Sequence, residues 1–361
     1  EDGKVYVVHG QGTLYLTELN SDVKSVKGKP VKIWQGGFKN AHELGGGFGM
    51  EGSHMYRING KYYITCPAGG TGGWQICLRS DNIYGPYEHK LIMNDWSSYP
   101  ENGLHQGGMV QLKNGDWWFM IMQDRGPIGR VPCLVPVKWI DGWPMLGDEG
   151  KDLITYPKPA TGKKSKIKSP ATTDEFNASQ LGLQWQWNHN PDNSRWSLKE
   201  RKGYMRLYAS QASTLKDARN TLTQRVQGPS CEGSVEMEVT GLKDGNIAGF
   251  GIFEFPYAYV AIRQESGRRK IVMCNDGKDI ETVEHFNGDK LWIRVRATDK
   301  EFKALFYYSL DGVNYKRIGN ELQMGLGLPW TANRFALFNF NTTPQGNNGY
   351  ADFNWFRFTN K

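Results

Sequence analysis

The sequence predicts an all-β protein in two parts, a partial β-propeller followed by a two-sheet antiparallel β-sandwich. Three observations carry that prediction. The 361 residues include 44 glycines and are 13% aromatic, a composition that favours turns and packed sheets over helices. A turn-and-strand motif recurs through the first half at spacings of 57 and 55 residues. In the second half, runs of four to eight residues alternate apolar and polar side chains, the period of a strand with one buried face. The length allows two domains of ordinary size, and 39% hydrophobic residues suffice for a core in each.

The recurring motif reads Asp2-Gly3-Lys4-Val5-Tyr6-Val7-Val8, then Asn59-Gly60-Lys61-Tyr62-Tyr63-Ile64-Thr65, then Asn114-Gly115-Asp116-Trp117-Trp118-Phe119-Met120. Each copy is an Asx-Gly hairpin turn leading into a β-branched and aromatic strand. Further strands follow at residues 13–19 and 74–80, the second closed by Gly85-Pro86-Tyr87. A period of this size, with about four strands per unit, fits a propeller blade. Residues 1–150 therefore read as between two and three blades. A ring needs at least four blades, so about half of it is expected from an upstream segment or a second chain.

Residues 151–173 form a linker in which Pro157, Pro159 and Pro170 interleave with Lys163, Lys164, Lys166 and Lys168. Residues 174–361 hold the alternating runs, at 205–209, 233–239, 247–253, 257–263, 290–296 and 302–308, with turns such as Ser309-Leu310-Asp311-Gly312. Such a series reads as a sandwich.

The net charge of +7 is scattered outside the linker and no nucleic-acid module is present, so a nucleic-acid partner is not expected. No window of about 18 apolar residues exists to cross a membrane as a helix. Five cysteines without C-x-x-C spacing support neither zinc nor a disulfide framework. Cys66 and Cys77, on neighbouring strands, are the one pair placed to bond. The opening Glu1-Asp2-Gly3-Lys4 reads as neither a leader nor a natural start.

Glu51 is the leading catalytic candidate. It stands in Gly46-Gly47-Phe48-Gly49-Met50-Glu51-Gly52-Ser53-His54, where glycines admit a ligand and aromatics shape an apolar wall. A carboxyl in that setting is expected to have a raised pKa and to act as a general acid. The alternative is a turn-capping Glu, or one paired with any of 44 Lys and Arg.

Three segments then carry a resemblance to glycoside hydrolase family 43, the β-xylosidases and α-L-arabinofuranosidases. They are Glu51-Gly52-Ser53-His54-Met55-Tyr56 with Asn59-Gly60-Lys61, Gly103-Leu104-His105-Gln106-Gly107-Gly108, and Gly129-Arg130 followed by residues 137–144. Ser53 stands where the family usually has Pro. The run Leu181-Gly182-Leu183-Gln184-Trp185-Gln186-Trp187 and the ending Ala351-Asp352-Phe353-Asn354-Trp355-Phe356 resemble the concanavalin-A-like C-terminal domain of one branch of that family. The resemblance thus covers nearly the whole chain.

The resemblance implies a five-bladed propeller and an exo-acting, inverting hydrolase that releases xylose or arabinose from xylan, arabinoxylan or xyloglucan side chains, exported to the periplasm or outside the cell. Glu51 would be the acid. The base and the Asp that tunes the acid would lie upstream of Glu1, Asp2 being part of a turn. Arg130 would reach the sugar, its alternative being an ion pair on a blade edge. His105 would face the axis and touch a calcium ion or its water, its alternative being a histidine satisfied by a buried carbonyl. Phe48 would wall the pocket, Trp74 and Gln75 would face the leaving group, and His54 would support Glu51. Asp124-Arg125-Gly126-Pro127 is expected as a rim loop. From the sandwich, Phe255, Tyr257 or Trp187 is a candidate for the rim, and Asp174, Glu175 and Asp352 for a structural calcium ion; no organic cofactor is expected. The competing reading is a non-catalytic carbohydrate-binding fragment or scaffold.

Overall fold

The computed structural model describes residues 3–37, 49–94, 103–151, 155–160, 162, 166, 169–298, 300–325, 330–344 and 348–360. The chain is all-β and divides into two units, one of residues 1–125 and 130–165 and one of residues 126–129 and 166–361. Among the described residues no helix is long and apolar enough to cross a membrane.

The first unit is three antiparallel sheets. The first sheet holds β1 (Val5–Gln11), β2 (Thr13–Leu19) and β3 (Val31–Gln35). The second holds β4 (His54–Ile58), β5 (Lys61–Ala68), β6 (Trp74–Ser80) and β7 (Glu88–Met93). The third holds β8 (His105–Gln111), β9 (Trp117–Asp124), β10 (Arg130–Ile140) and β11 (Trp143–Leu146). Each is a meander, and two of the connections, β4 to β5 and β10 to β11, are two-residue turns. Asn59 and Gly60 both have positive φ, at 50° and 82°, the conformation that a tight hairpin turn of type I′ requires. Asp141 and Gly142 repeat it between β10 and β11, at 50° and 74°.

The sheets stack through two apolar layers. Leu14, Leu16 and Ile33 of the first sheet pack with Met50, Ile64, Cys66 and Ile76. On the other side of the second sheet, Tyr63, Cys77 and Met93 pack with Phe119, Ile121, Val135 and Leu146 of the third. Alternation along each strand sends successive side chains to the two layers. It also separates the two cysteines expected to pair. Cys66 lies opposite Ile76 and Cys77 opposite Thr65, so the thiols occupy opposite faces of the sheet and form no disulfide with each other.

A β-bulge interrupts β8 between His105 and Gly107, leaving Gln106 unpaired with φ of 58°. Gly107 then runs so close to β9 that a Cβ there would lie 1.8 Å from the Met120 carbonyl oxygen. Gly107→Ala is expected to destabilise the first unit by about 3 kcal/mol, since backbone must move to admit the methyl. A urea titration followed by tryptophan fluorescence measures it.

The second unit is two eight-stranded sheets face to face. In one, the strands Asn246–Phe253, Ala258–Glu265, Arg268–Asn275 and Lys278–Val283 form a meander, with Arg334–Asn341 on the other side of the first. In the other, Ser230–Glu238 lies between Tyr350–Asn360 and Lys290–Thr298. Their facing sides, including Val235, Phe250, Val260, Ile293, Phe335 and Phe356, form one core.

The carboxylates considered for calcium have protein partners here. Asp352, 2% exposed, accepts from Arg206 Nε and Nη2, both at 2.8 Å, and from Arg201 Nη1 at 3.0 Å. Asp174 accepts from the Phe176 N–H and from Trp185 Nε1, each at 2.8 Å, and Glu175 pairs with Arg357. Of the three rim candidates, Tyr257 is buried and stacks beside Tyr259, and Trp187 packs against Trp196. Phe255 is 48% exposed, with the Lys216 ammonium 4.6 Å from its ring centre.

Candidate active site

A left-handed turn presents Glu51. Gly49, Met50 and Gly52 have φ of 95°, 67° and 66°. Met50 accepts this conformation because its side chain is buried between the first two sheets and its N–H donates to the Pro67 carbonyl at 2.6 Å. Ser53 Oγ donates to the Met50 carbonyl at 2.7 Å, closing the turn. Glu51 is left exposed just ahead of β4. The apolar enclosure expected around it is therefore not formed by the described residues, and Phe48 lies outside them. Gly52 is required as well, because a Cβ there would lie 2.8 Å from Gln106 Nε2. The Gln106 side chain thus sits against the turn that carries Glu51.

His105 heads β8 and is 3% exposed. Its Nδ1 donates to the Gly103 carbonyl at 3.0 Å, and its Nε2 faces Asp124 Oδ2 at 3.9 Å. The ring fits because residue 73 is glycine, where a Cβ would lie 2.5 Å from the imidazole. Burial pushes His105 below the ordinary histidine range; the Gly103 carbonyl and the Asp124 and Glu51 carboxylates oppose that shift, and Arg130 reinforces it.

A stability consequence follows from the sign of that shift. The folded state holds the proton less tightly than the unfolded chain, so as pH falls the unfolded chain is protonated first. The contribution of His105 is complete above about pH 6.5, its unfolded value, and declines from there toward the lowered folded value. Urea midpoints at pH 7.5 and 5.5 should fall further in the parent chain than in His105→Gln.

Asp124 and Arg130 face each other as partners across β9 and β10. Asp124, 1% exposed, accepts from Arg130 Nε at 3.1 Å, and Arg130 Nη1 donates to Gln106 Oε1 at 3.4 Å. The rim loop expected at 124–127 begins one residue later than predicted, because Asp124 ends a strand and is buried. Arg130 keeps about a third of its side chain in solvent while joined to the cluster. Asp124 and Gln106 are the members that residue-by-residue reading missed. A carboxylate six residues before an Arg across a tight turn was the available signal.

Gln75 and Trp74, expected on the leaving-group side, are buried at the head of β6. Gln75 Oε1 accepts the N–H of the bulged Gln106 at 2.7 Å. Among the described residues, Gln75 Nε2 and Trp74 Nε1 are buried donors without a hydrogen-bond partner. His54 begins β4 and is exposed, its ring beside Gly108, where a Cβ would lie 3.4 Å from Nδ1. Among the described residues no three His, Cys, Asp or Glu side chains group as a cation site. His105 offers one nitrogen toward a carboxylate already paired with Arg130, a donor set that does not by itself make the oxygen cage that calcium takes.

Fold and site define a class: an all-β protein of stacked propeller-type sheets, with a carboxylate, an imidazole and a guanidinium gathered at one end, followed by a separate β-sandwich unit. Comparison with known proteins makes the class specific. Residues 1–144 match glycosyl hydrolases family 43, and residues 173–359 match the β-xylosidase C-terminal concanavalin A-like domain; the chain belongs to this family. It is 32% identical to a β-xylosidase of Formosa agariphila over 86% of this chain and 60% of that protein. It is 27% identical to a non-reducing-end α-L-arabinofuranosidase of Bacteroides ovatus over 99% of this chain and 70% of that protein. Among solved structures, a bifunctional GH43-CE protein of Bacteroides eggerthii superposes with a TM-score of 0.88 and 38% identity, over 100% of this chain and 47% of the other. The chain thus spans about 60% of the length of curated β-xylosidase relatives.

Proposed function

We propose that this chain supplies the general acid of an exo-acting, inverting glycosidase that releases xylose or arabinose from hemicellulose. The observation that carries the reading is Glu51, exposed on a left-handed turn at the head of β4, with the Gln106 side chain from the strand of buried His105 set against that turn. The names of the relatives, a β-xylosidase and an arabinofuranosidase, support the substrate class.

Inversion requires one carboxylic acid to protonate the departing glycosidic oxygen and a second carboxylate, roughly 6.5–9.5 Å away, to deprotonate the attacking water. Glu51 takes the first role: its proton passes to the leaving oxygen as the anomeric bond breaks. Arg130 holds a sugar hydroxyl with the part of its guanidinium that remains in solvent, while Asp124 and Gln106 fix its orientation. The base is assigned to residues outside 1–361.

The test is hydrolysis of nitrophenyl β-xyloside and nitrophenyl α-L-arabinofuranoside by this polypeptide alone. No turnover is expected. Turnover by the purified polypeptide would put the base within these residues and overturn that assignment.

A further inference from the structure

The sandwich holds a basic recess that the glycosidase reading does not use. Along the neighbouring strands Ala258–Glu265 and Arg268–Asn275, alternate residues Val260, Ile262, Ile271 and Met273 belong to the core. The next members of the same two rows are Gln264 and Arg269, which lie opposite each other in the ladder. The core rows therefore end in polar side chains, and a recess of about 540 Å³ opens beside them. Among the described residues its charged lining side chains are all basic, Arg268, Arg269 and His285. Carboxylates in the same stretches lie outside the lining. Glu265 pairs with Lys270 at 3.1 Å, Asp244 accepts the Gly267 N–H at 2.9 Å, and Glu284 and Asp289 flank the segment 285–288 in sequence.

Local geometry sets these groups in place. Ser266 and Gly267 have φ of 50° and 69°, a tight turn that delivers Arg268 opposite Glu265, and Asp244 pins it through the Gly267 N–H. Arg269 Nε donates to Gln264 Oε1 at 3.1 Å, and its Nη1 donates to the Gly288 carbonyl at 3.3 Å. The Phe286 N–H donates to the Arg269 carbonyl at 2.9 Å, which lays the segment 285–288 alongside that strand. Phe286 is buried in the core, whereas His285 and Asn287 on either side of it are exposed. Among the described residues, Arg268, His285 and Asn287 have no hydrogen-bond or ion-pair partner.

We propose that this recess binds the carboxylate of a uronic acid carried on a saccharide, such as the acidic side groups of xylan. A guanidinium presents paired N–H donors in a plane that matches a carboxylate, and Arg269 is already oriented by Gln264 and Gly288. Arg269 and Arg268 take the carboxylate oxygens. His285 and Asn287, which no protein group engages, take the sugar hydroxyls next to the carboxylate. Binding costs little side-chain ordering at Arg269, because its rotamer is set before the ligand arrives. That the anion arrives on a saccharide rests on the glycosidase reading; the basic recess itself stands on the sandwich alone.

Isothermal titration calorimetry of the full chain tests it at about 0.15 M salt, where scattered surface charge is screened. The ligands are a xylo-oligosaccharide bearing one glucuronic acid, the same oligosaccharide after reduction of its carboxyl group, and inorganic phosphate. The acidic oligosaccharide should bind at least about tenfold more tightly than the reduced one. Arg268→Gln and Arg269→Gln should each weaken it by about fivefold or more. The double variant Lys316→Gln, Arg317→Gln removes two charges from exposed positions of the same unit and should bind as the parent does. Arg268 makes no contact that the fold needs, so Arg268→Gln should melt with the parent and reads binding alone. The proposal is overturned if the reduced oligosaccharide binds equally, if Arg268→Gln binds unchanged, or if the Lys316 and Arg317 double variant loses as much. Phosphate binding as tightly as the acidic oligosaccharide would assign a site for free anions and would also overturn it. Glu51→Gln should bind as the parent does, so a failure of the acid role and a failure of this site are read separately.

Discussion

Glu51→Gln is expected to slow hydrolysis of xylobiose by about 10²–10⁴-fold in a polypeptide that joins this chain to its base carboxylate. The amide preserves the size of the side chain on its glycine turn but carries no proton for the departing oxygen. The effect should depend on the leaving group. A nitrophenolate departs readily as the anion and needs little protonation, so the nitrophenyl xyloside should lose far less kcat than xylobiose does. A merely structural role for Glu51 would lower both equally. Equal losses on the two substrates would therefore remove Glu51 from the acid role. KM should change little, because the proton is transferred only as the bond breaks.

Asp352→Ala is expected to destabilise the sandwich by about 3 kcal/mol, near the low end for breaking a buried ion pair. Asp352 lies directly across from Arg206 on one neighbouring strand and from Glu238 on the other. Two carboxylates across a ladder repel. Arg201 relieves that repulsion by binding both, at 3.0 Å to Asp352 and 2.9 Å to Glu238. With the aspartate gone, Arg206 keeps its 3.2 Å contact to Glu200, the neighbouring Tyr208 hydroxyl and its place over the Tyr350 ring. Arg201 is about a third exposed and can rehydrate, which holds the loss toward the lower end. Asp352→Asn should cost less, since it retains acceptors for the guanidinium donors. Differential scanning calorimetry of the three proteins checks the order. A larger stability change on adding calcium to the parent than to Asp352→Ala would favour the cation reading of Asp352 over the arginine pair.

The strands were legible wherever their signal is local. Six runs read from alternation in the second half reappear as strands within a few residues, for example 233–239 as Ser230–Glu238 and 290–296 as Lys290–Thr298. Arg334–Asn341 escaped that reading because it is buried on both faces and shows almost no alternation. The loop at 69–73 is glycine-rich. In the structure Gly69 admits the Trp74 ring and Gly73 the His105 ring, so its composition answers to neighbours that are remote in sequence in one case and adjacent in the other. Of the candidate site, Glu51, His105 and Arg130 were singled out by residue type and motif. Their connection through Gln106 and Asp124 was not, because a bulge and a cross-strand register create it.

By itself, then, the sequence determined the all-β class, the hairpin turns and the alternating faces. Each of these rests on backbone conformations and side-chain periods set within a few residues, as Asn59-Gly60 shows by taking positive φ at both positions. Only the tertiary structure decided that Cys66 and Cys77 face opposite layers, that Gln75 holds a backbone amide, and that Asp352 is held by arginines. Those outcomes depend on which residue lies across from which, and a shift of one residue in register reverses every face.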